Sequence, residues 1–415
     1  MELTIKQSCP SCGAAIVLKE DDRLVECAFC GVHNYRIGSV GSRYVLPYTL
    51  PDQLDETQLL FTPYLRFKGS IFFVRDNAVR HKVVDTTRLG LDNRQLPVSL
   101  GLRPQAMKIK PVVSSTRGVF IQQSVPTKTV FGHAAMIIDL LNDQNEHTTY
   151  HRAFIGETLS RIYQPWYLKD DRLYDAVTGR AVGHRSVFEK HLTKTCSGKV
   201  TWEPQFVTTI CPGCGGLLSG ARESMVLQCR NCSLLWQEQN GKFVHIDWKI
   251  VESDDPAACY LPFWQIRCDV NGSTLKNFGD YLRFTNQPLV VTKKHDLRLL
   301  VFWIPAFKLH PKAFLQVASQ LTLAQERIPE GGKQRVANGH PVTLDRKEAA
   351  QAVKSVLAHT ILSKEKKFPL LPALRLSASH CALTYLPFER QTHDVIQHHT
   401  HATIQTAAIR HGRDL

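Results

Sequence analysis

The 415-residue sequence has no run of about 18 apolar residues, so it offers no segment long enough to cross a bilayer as a helix. Its opening stretch, MELTIKQSCP, lacks the apolar core of a secretion signal, which leads us to expect a cytoplasmic chain. Several chemistries lack their marks as well. There is no G-x4-G-K-[ST] phosphate loop, no G-x-S-x-G nucleophile elbow and no G-x-G-x-x-G following a strand. No acid pair or Ser/His/Asp set stands out, so the expectation is a non-enzymatic protein; an enzyme with a site assembled from scattered residues ranks last. With 43% hydrophobic and 21% charged residues the chain is globular, and it is too long for one ordinary domain.

What the sequence does contain is one pattern used twice. Cys9-Pro10-Ser11-Cys12 is followed by Cys27-Ala28-Phe29-Cys30, and Cys211-Pro212-Gly213-Cys214 by Cys229-Arg230-Asn231-Cys232. Each cysteine of the second block stands 202 positions after its counterpart, and both blocks read C-x2-C-x14-C-x2-C. Two such knuckles supply the four thiolates of a tetrahedral structural Zn2+ site, so two structural zinc ions are expected. A catalytic zinc needs an open position and a bound water, which four cysteines do not leave. Gly13, Gly31 and Gly215 follow their knuckles, where backbone freedom lets amides turn back toward sulfur. The other four cysteines, Cys196, Cys259, Cys268 and Cys381, show no paired spacing and read as reduced core thiols.

The net charge of +14 invites a nucleic-acid reading, yet its distribution points away from the cysteine blocks. Residues 1–38 hold four Lys/Arg against five acids, and residues 205–252 hold four against four. The surplus therefore lies in the remaining segments.

Around the first block, Ala14–Leu18, Leu24–Glu26 and Val32–Ile37 read as short strands. The second continues from Leu234 to Val251 with a hairpin at Asn240-Gly241, a pair suited to a type I′ turn, and Trp236, Phe243 and Trp248 to cover its faces. Ser70–Val74, Val83-Val84 and Val119–Gln122 read as strands, Lys128–Leu141 as a helix, and Arg172–Val182 as a hairpin around Thr178-Gly179. His151–Ile162 fits helix or strand. A helix is expected after Pro311, and another after a capping box of Asp345 and Glu348; Ala402–Ile409 reads as a closing strand.

A second repeat accompanies the cysteines. Phe61-x-Pro63-Tyr64-x-x-Phe67 recurs as Tyr260-x-Pro262-Phe263-x-x-Ile266, with looser versions at Tyr163–Trp166, Phe302–Phe307 and Tyr385–Phe388. The simpler reading is strand starts that pack aromatics inside, and the sharper one an aromatic-proline docking patch. His147 with His151, and the segment His398-His399-Thr400-His401, could imitate metal pairs but read as polar surface.

The tandem knuckles resemble the zinc ribbons of general transcription factors and polymerase subunits. Together with Tyr163-x-Pro165-Trp166 and the stretch Leu173–Gly183, they resemble bacterial double-zinc-ribbon proteins whose short β-repeats end in G-[KR]-x-x-G. The resemblance implies zinc binding and no reaction. The resulting expectation is an α+β, mainly β chain: ribbon 1 over 1–40, a β-rich body over 41–204, ribbon 2 over 205–252 and an α+β body over 253–415, as a diverged internal duplication. Its expected role is to dock macromolecular partners, mainly proteins; the alternative is nucleic-acid binding by the basic bodies.

Overall fold

The computed structural model describes residues 4–19, 22–37, 42–113, 115–141, 148–188, 205–272, 275–336 and 338–412. Strand outweighs helix, 39% to 21%, so the chain is mainly β. It divides into two compact units: residues 1–68, 84–143 and 157–207 form unit 1, and residues 69–83, 144–156 and 208–415 form unit 2.

Unit 1 begins with the first cysteine block. Strand β1 (Thr4–Ser8) pairs antiparallel with β2 (Ala15–Lys19), and β3 (Leu24–Glu26) with β4 (His33–Arg36). The expected strands are present, but β2 and β3 lie in separate sheets. The body follows with β5 (Arg43–Val45), β6 (Leu60–Arg75), β7 (Ala78–Leu89), β8 (Lys110–Pro111), β9 (Val119–Phe120), β10 (Thr149–Lys169), β11 (Arg172–Asp175) and β12 (Ala181–His184), of which the stretches 69–75, 78–83 and 149–156 belong to unit 2. The ambiguous run His151–Ile162 is strand, and the helix Thr129–Leu141 is where its spacing predicts. The core gathers Tyr44, Tyr64, Ile162, Trp166 and Phe188. Strand β13 (Phe206–Thr208) then pairs with β4.

Unit 2 carries the second block on a four-stranded sheet, β14 (Leu218–Ser219), β15 (Val226–Cys229), β16 (Leu235–Gln239) and β17 (Lys242–Ile246), in that order. The β16–β17 turn is at Asn240 (φ 52°) and Gly241 (φ 80°), the two positive dihedrals that a type I′ turn needs. Strand β18 (Trp248–Ile250), β19 (Cys259–Asn271), β20 (Phe302–Pro305), β21 (Arg375–Arg390), β22 (Asp394–Ile396) and β23 (Thr403–Gln405) form the body sheet. Helices Pro311–Leu323 and Arg346–Thr360 pack on it, burying Phe314, Leu315, Leu321, Val353 and Leu357.

Two details depart from the sequence reading. Asp345 caps its helix through the Lys347 N–H (2.7 Å), while the Glu348 carboxylate accepts from Gly156 N–H (2.7 Å). The closing run is strand only over Thr403–Gln405 and continues as the helix Thr406–His411, with Val395 and Ile404 in the core.

The two bodies repeat one wiring. In the first, β5 lies parallel to β10, with Arg161 N–H donating to Ser42 O and Leu46 N–H to Tyr163 O; in the second, β18 lies parallel to β21, with Leu383 N–H donating to Asp247 O and Val251 N–H to Tyr385 O. Gly90 N–H reaches Pro63 O as Ala306 N–H reaches Pro262 O. Ser124 and Val125 both donate to Gly90 O, as Thr343 and Leu344 both donate to Ala306 O. Phe61 pairs parallel with Phe120 in the first, and Tyr260 with Gly339 in the second. The Pro-aromatic segments therefore mark equivalent strands.

Their aromatics are inside, apart from the half-buried Tyr260. Phe61, Tyr64, Tyr163, Trp166, Phe263, Phe302, Trp303, Tyr385 and Phe388 are all buried, so these rings cannot form the exposed docking patch. A proline suits these strands because its carbonyl still accepts the ladder bond just described.

Candidate metal centres

Each knuckle is the same turn. Cys9 N–H donates to Ala14 O and Gly13 N–H to Cys9 O; the pattern recurs at Cys27 with Val32 and Gly31, at Cys211 with Gly216 and Gly215, and at Cys229 with Leu234 and Ser233. The residue four after the first cysteine must enter the left-handed region: Gly13, Gly31 and Gly215 have φ of 76°, 68° and 74°, and Ser233 has 60°. Glycine holds three of these positions because it has no Cβ to clash there. The fourth, Ser233, was not legible from the knuckle spacing.

The turns bring all eight predicted ligands together as two groups, Cys9/Cys12/Cys27/Cys30 and Cys211/Cys214/Cys229/Cys232, with the sulfurs of each group within 4.8 Å of one another. A tetrahedron with Zn–S bonds of about 2.3 Å has S···S edges of about 3.8 Å. In the first group Cys9–Cys30 is 3.8 Å and Cys12–Cys27 is 3.6 Å; in the second Cys211–Cys232 is 3.7 Å and Cys214–Cys229 is 3.4 Å. The donor set and its dimensions fit zinc. The first cysteine of every knuckle, Cys9, Cys27, Cys211 and Cys229, is buried, while Cys12, Cys30 and Cys214 are exposed. Each ion would therefore sit at the rim of its module.

Hydrogen bonds to sulfur support the thiolate form. Asn34, buried, donates its Nδ2–H to Cys9 Sγ (3.8 Å) and to Val32 O (3.3 Å). In the second module the Asn231 and Cys232 amides reach Cys229 Sγ at 3.4 and 3.5 Å. Such outer contacts orient the ligands and shift their basicity. The Gly216 amide and the neighbouring Cys229 and Cys232 sulfurs draw Cys214 down to about 6. Cys232 goes the other way: the Leu234 amide favours its thiolate, yet burial and the three neighbouring sulfurs push it up to about 12. One thiolate thus opposes the next, and a cation at the centre would relieve that opposition.

The other sequence candidates do not assemble into a site. His147 and Cys196 lie outside the described residues, and His151 is half-buried in β10 rather than on the polar surface expected of it. Cys259, Cys268 and Cys381 are free and half-buried. His398–His401 forms a structural turn: Thr400 N–H and Oγ1–H donate to Gln397 Oε1, and His401, at φ 57°, sends its N–H to Gln397 O. In the first body Asp175 and Gly179 make the equivalent turn, Gly179 N–H donating to Asp175 O. There the cap is ionic. Arg103 pairs with Asp175 (2.8 Å) and donates to Gln164 (2.9 Å), which in turn donates to Asp175 (2.7 Å). This triad, with Gln164 and Asp175 buried and Arg103 partly exposed, is scattered over more than seventy positions and had no local signal in the sequence.

No family model, curated protein or solved structure matches the chain. The two four-cysteine clusters compatible with zinc ribbons are what the resemblance rests on.

Proposed function

We propose that this chain is a zinc-stabilised, non-enzymatic docking protein of the tandem zinc-ribbon kind, built from one ancestral unit used twice, with mainly protein partners. The observation that supports it most is the closure of both ligand sets. Four sulfurs at tetrahedral spacing leave no position for water or substrate, so zinc would hold the modules rather than catalyse. The modules offer what docking uses: short, rigid strands ending in an open edge, of which β17 is the terminal strand of its sheet. Affinity purification with and without nuclease, followed by mass spectrometry, tests the reading. Protein partners that survive nuclease and are lost from Cys229→Ser are the expected result; partners lost wholly on nuclease treatment overturn it.

A second reading is favoured by charge. The surplus of basic residues lies outside both cysteine blocks, which makes the bodies a candidate nucleic-acid surface. It requires binding to DNA or RNA at low salt that falls steeply as salt rises.

A further inference from the structure

The two halves of the chain diverge most between the matched hydrogen bonds at Pro63/Gly90 and Pro262/Ala306. In the first half that interval is 27 residues and consists of β6, its turn and β7; in the second it is 44 residues and contains the helices Phe278–Thr285 and Lys293–Leu297. The first helix is anchored, with Phe278, Tyr281 and Leu282 in the unit 2 core. The segment that follows it is not covered. Leu289 and Leu299 are each 55% exposed, Val290 85% and Leu297 86%, so these eleven positions hold four of the sixteen exposed large hydrophobic residues among the described ones. Single exposed leucines need no explanation; a run of them on an added element does.

The helix Lys293–Leu297 is two-faced. His295 turns inward, its ring edge-on to Phe278 at 5.8 Å and its Nε2 3.3 Å from Glu326. Asp296 is held by Arg283 through two bonds of 2.7 and 2.9 Å. Lys293 and Leu297, at positions i and i+4, share the opposite face, Lys294 flanks it, and all three are exposed. The acids nearby are thus engaged with Arg283 and His295, and neither lysine has a carboxylate partner among the described residues.

We infer that this segment docks on an anionic lipid bilayer surface, with Val290 and Leu297 entering the headgroup layer and Lys293 and Lys294 meeting lipid phosphates. Two observations select a bilayer over a protein. Side chains exposed to 85–86% project outward, whereas a peptide-binding groove would cover part of each with its walls. A headgroup layer accepts isolated projecting apolar side chains, and free lysines beside them add attraction to anionic lipid. The inference uses nothing from the cysteine modules and stands apart from the docking role proposed for them.

The test is co-sedimentation of the full zinc-loaded chain with vesicles of phosphatidylcholine alone and of phosphatidylcholine with roughly one-third phosphatidylglycerol. Binding to the anionic vesicles only, weakened by added salt, is expected. Val290→Asp with Leu297→Asp should abolish it, and Lys293→Ala with Lys294→Ala should weaken it about thirtyfold. Equal binding to neutral vesicles, binding unchanged in either variant, or no binding overturns the inference. A wild-type dimer that Leu297→Asp converts to monomer also overturns it, because a second copy would then cover the patch. Thermal melting of each variant accompanies the assay; if the aspartate pair lowers the melting temperature, the lysine pair decides.

Discussion

In the first cysteine module β4 is bordered by β13, a strand that arrives from Phe206; in the second, β16 is bordered by β17 across the two-residue turn at Asn240-Gly241. The cores differ in the same sense. Cys9, Ile16, Val25 and Cys27 form a small cluster of their own, with Phe206 packed against it. Val226, Leu235 and Ile246 of the second module belong to the main core of unit 2, and its edges are tied by Met225 N–H to Val342 O (2.7 Å) and by Gln237 Nε2–H to Asp345 (2.7 Å). Identical ligand spacing thus supports two different degrees of integration. Four residues and a borrowed strand make too small a core for independent stability, so the first module would depend on a bound ion more completely, whereas the second would pass its state on to the body.

The largest effects should expose this difference. Structural zinc contributes on the order of 10 kcal/mol to the folding of small modules, so Cys27→Ser and Cys229→Ser should each reduce the zinc content from about two ions per chain to about one. Their consequences should then part. Hydrogen exchange in Cys27→Ser should rise over β1–β4 with the unit 1 body left protected, whereas in Cys229→Ser it should rise through β14–β18 and into the helix Arg346–Thr360. Equal spread in both variants would break the comparison.

The repeated turns give a second contrast. Asp175 and Gln397 hold equivalent places, but only Asp175 has an ion partner, in Arg103. Removing one member of a fully buried pair costs about 3–5 kcal/mol, and because the Arg103 side chain is 31% exposed and can be rehydrated, Asp175→Ala should lower stability by less, about 2–3 kcal/mol. Gln397→Ala loses only neutral hydrogen bonds to Thr400, about 1–2 kcal/mol. Denaturant unfolding of both variants measures the gap, and a Gln397→Ala cost as large as that of Asp175→Ala would show that charge contributes little to the turn.

Both turns also show what a sequence discloses. The two four-cysteine clusters were legible because a knuckle is a local spacing, and the Asn240-Gly241 turn because one dihedral pair selects two residue types. The Pro-aromatic segments were legible in their simpler reading, as core. The Arg103–Gln164–Asp175 triad was not, since its members meet only through tertiary folding. The run Ala402–Ile409 misled because an alternating pattern over eight residues does not reveal that pairing with β22 stops at Gln405. Glu348 misled for a related reason: a distant amide, Gly156, took the carboxylate that a local cap was expected to use.

A third contrast is in pH. In unit 2, burial and then the neighbouring Lys354 push His151 down to about 4. The unfolded value is near 6.5, so the folded state prefers the neutral ring: its stability is full above about pH 6.5 and falls as pH drops toward 4, by at most about 3 kcal/mol. His151→Gln should flatten this dependence relative to wild type. The comparison between the two proteins separates it from acid release of zinc, which affects both alike. An unchanged pH slope would show that His151 is hydrated in solution.

The smallest effect probes the knuckles themselves. Three carry glycine at the left-handed position, and the fourth carries Ser233 at φ 60°. A residue with a Cβ pays about 1 kcal/mol in that region, while glycine pays more entropy on leaving the unfolded chain, so Ser233→Gly should stabilise the second module by about 0.5 kcal/mol. Gly215→Ser reverses the exchange within the same module and should destabilise it by about as much. The Ser233 carbonyl complicates the expectation only slightly, since it accepts from the Gln228 amide (3.2 Å) through an atom that glycine retains. Competition for zinc with a chelator offers the readout, the glycine variant holding its second ion longer than wild type and Gly215→Ser giving it up sooner. If Ser233→Gly lost zinc faster, the serine side chain would be contributing to the site itself, and the second module would differ from the first in its metal environment as well as in its integration.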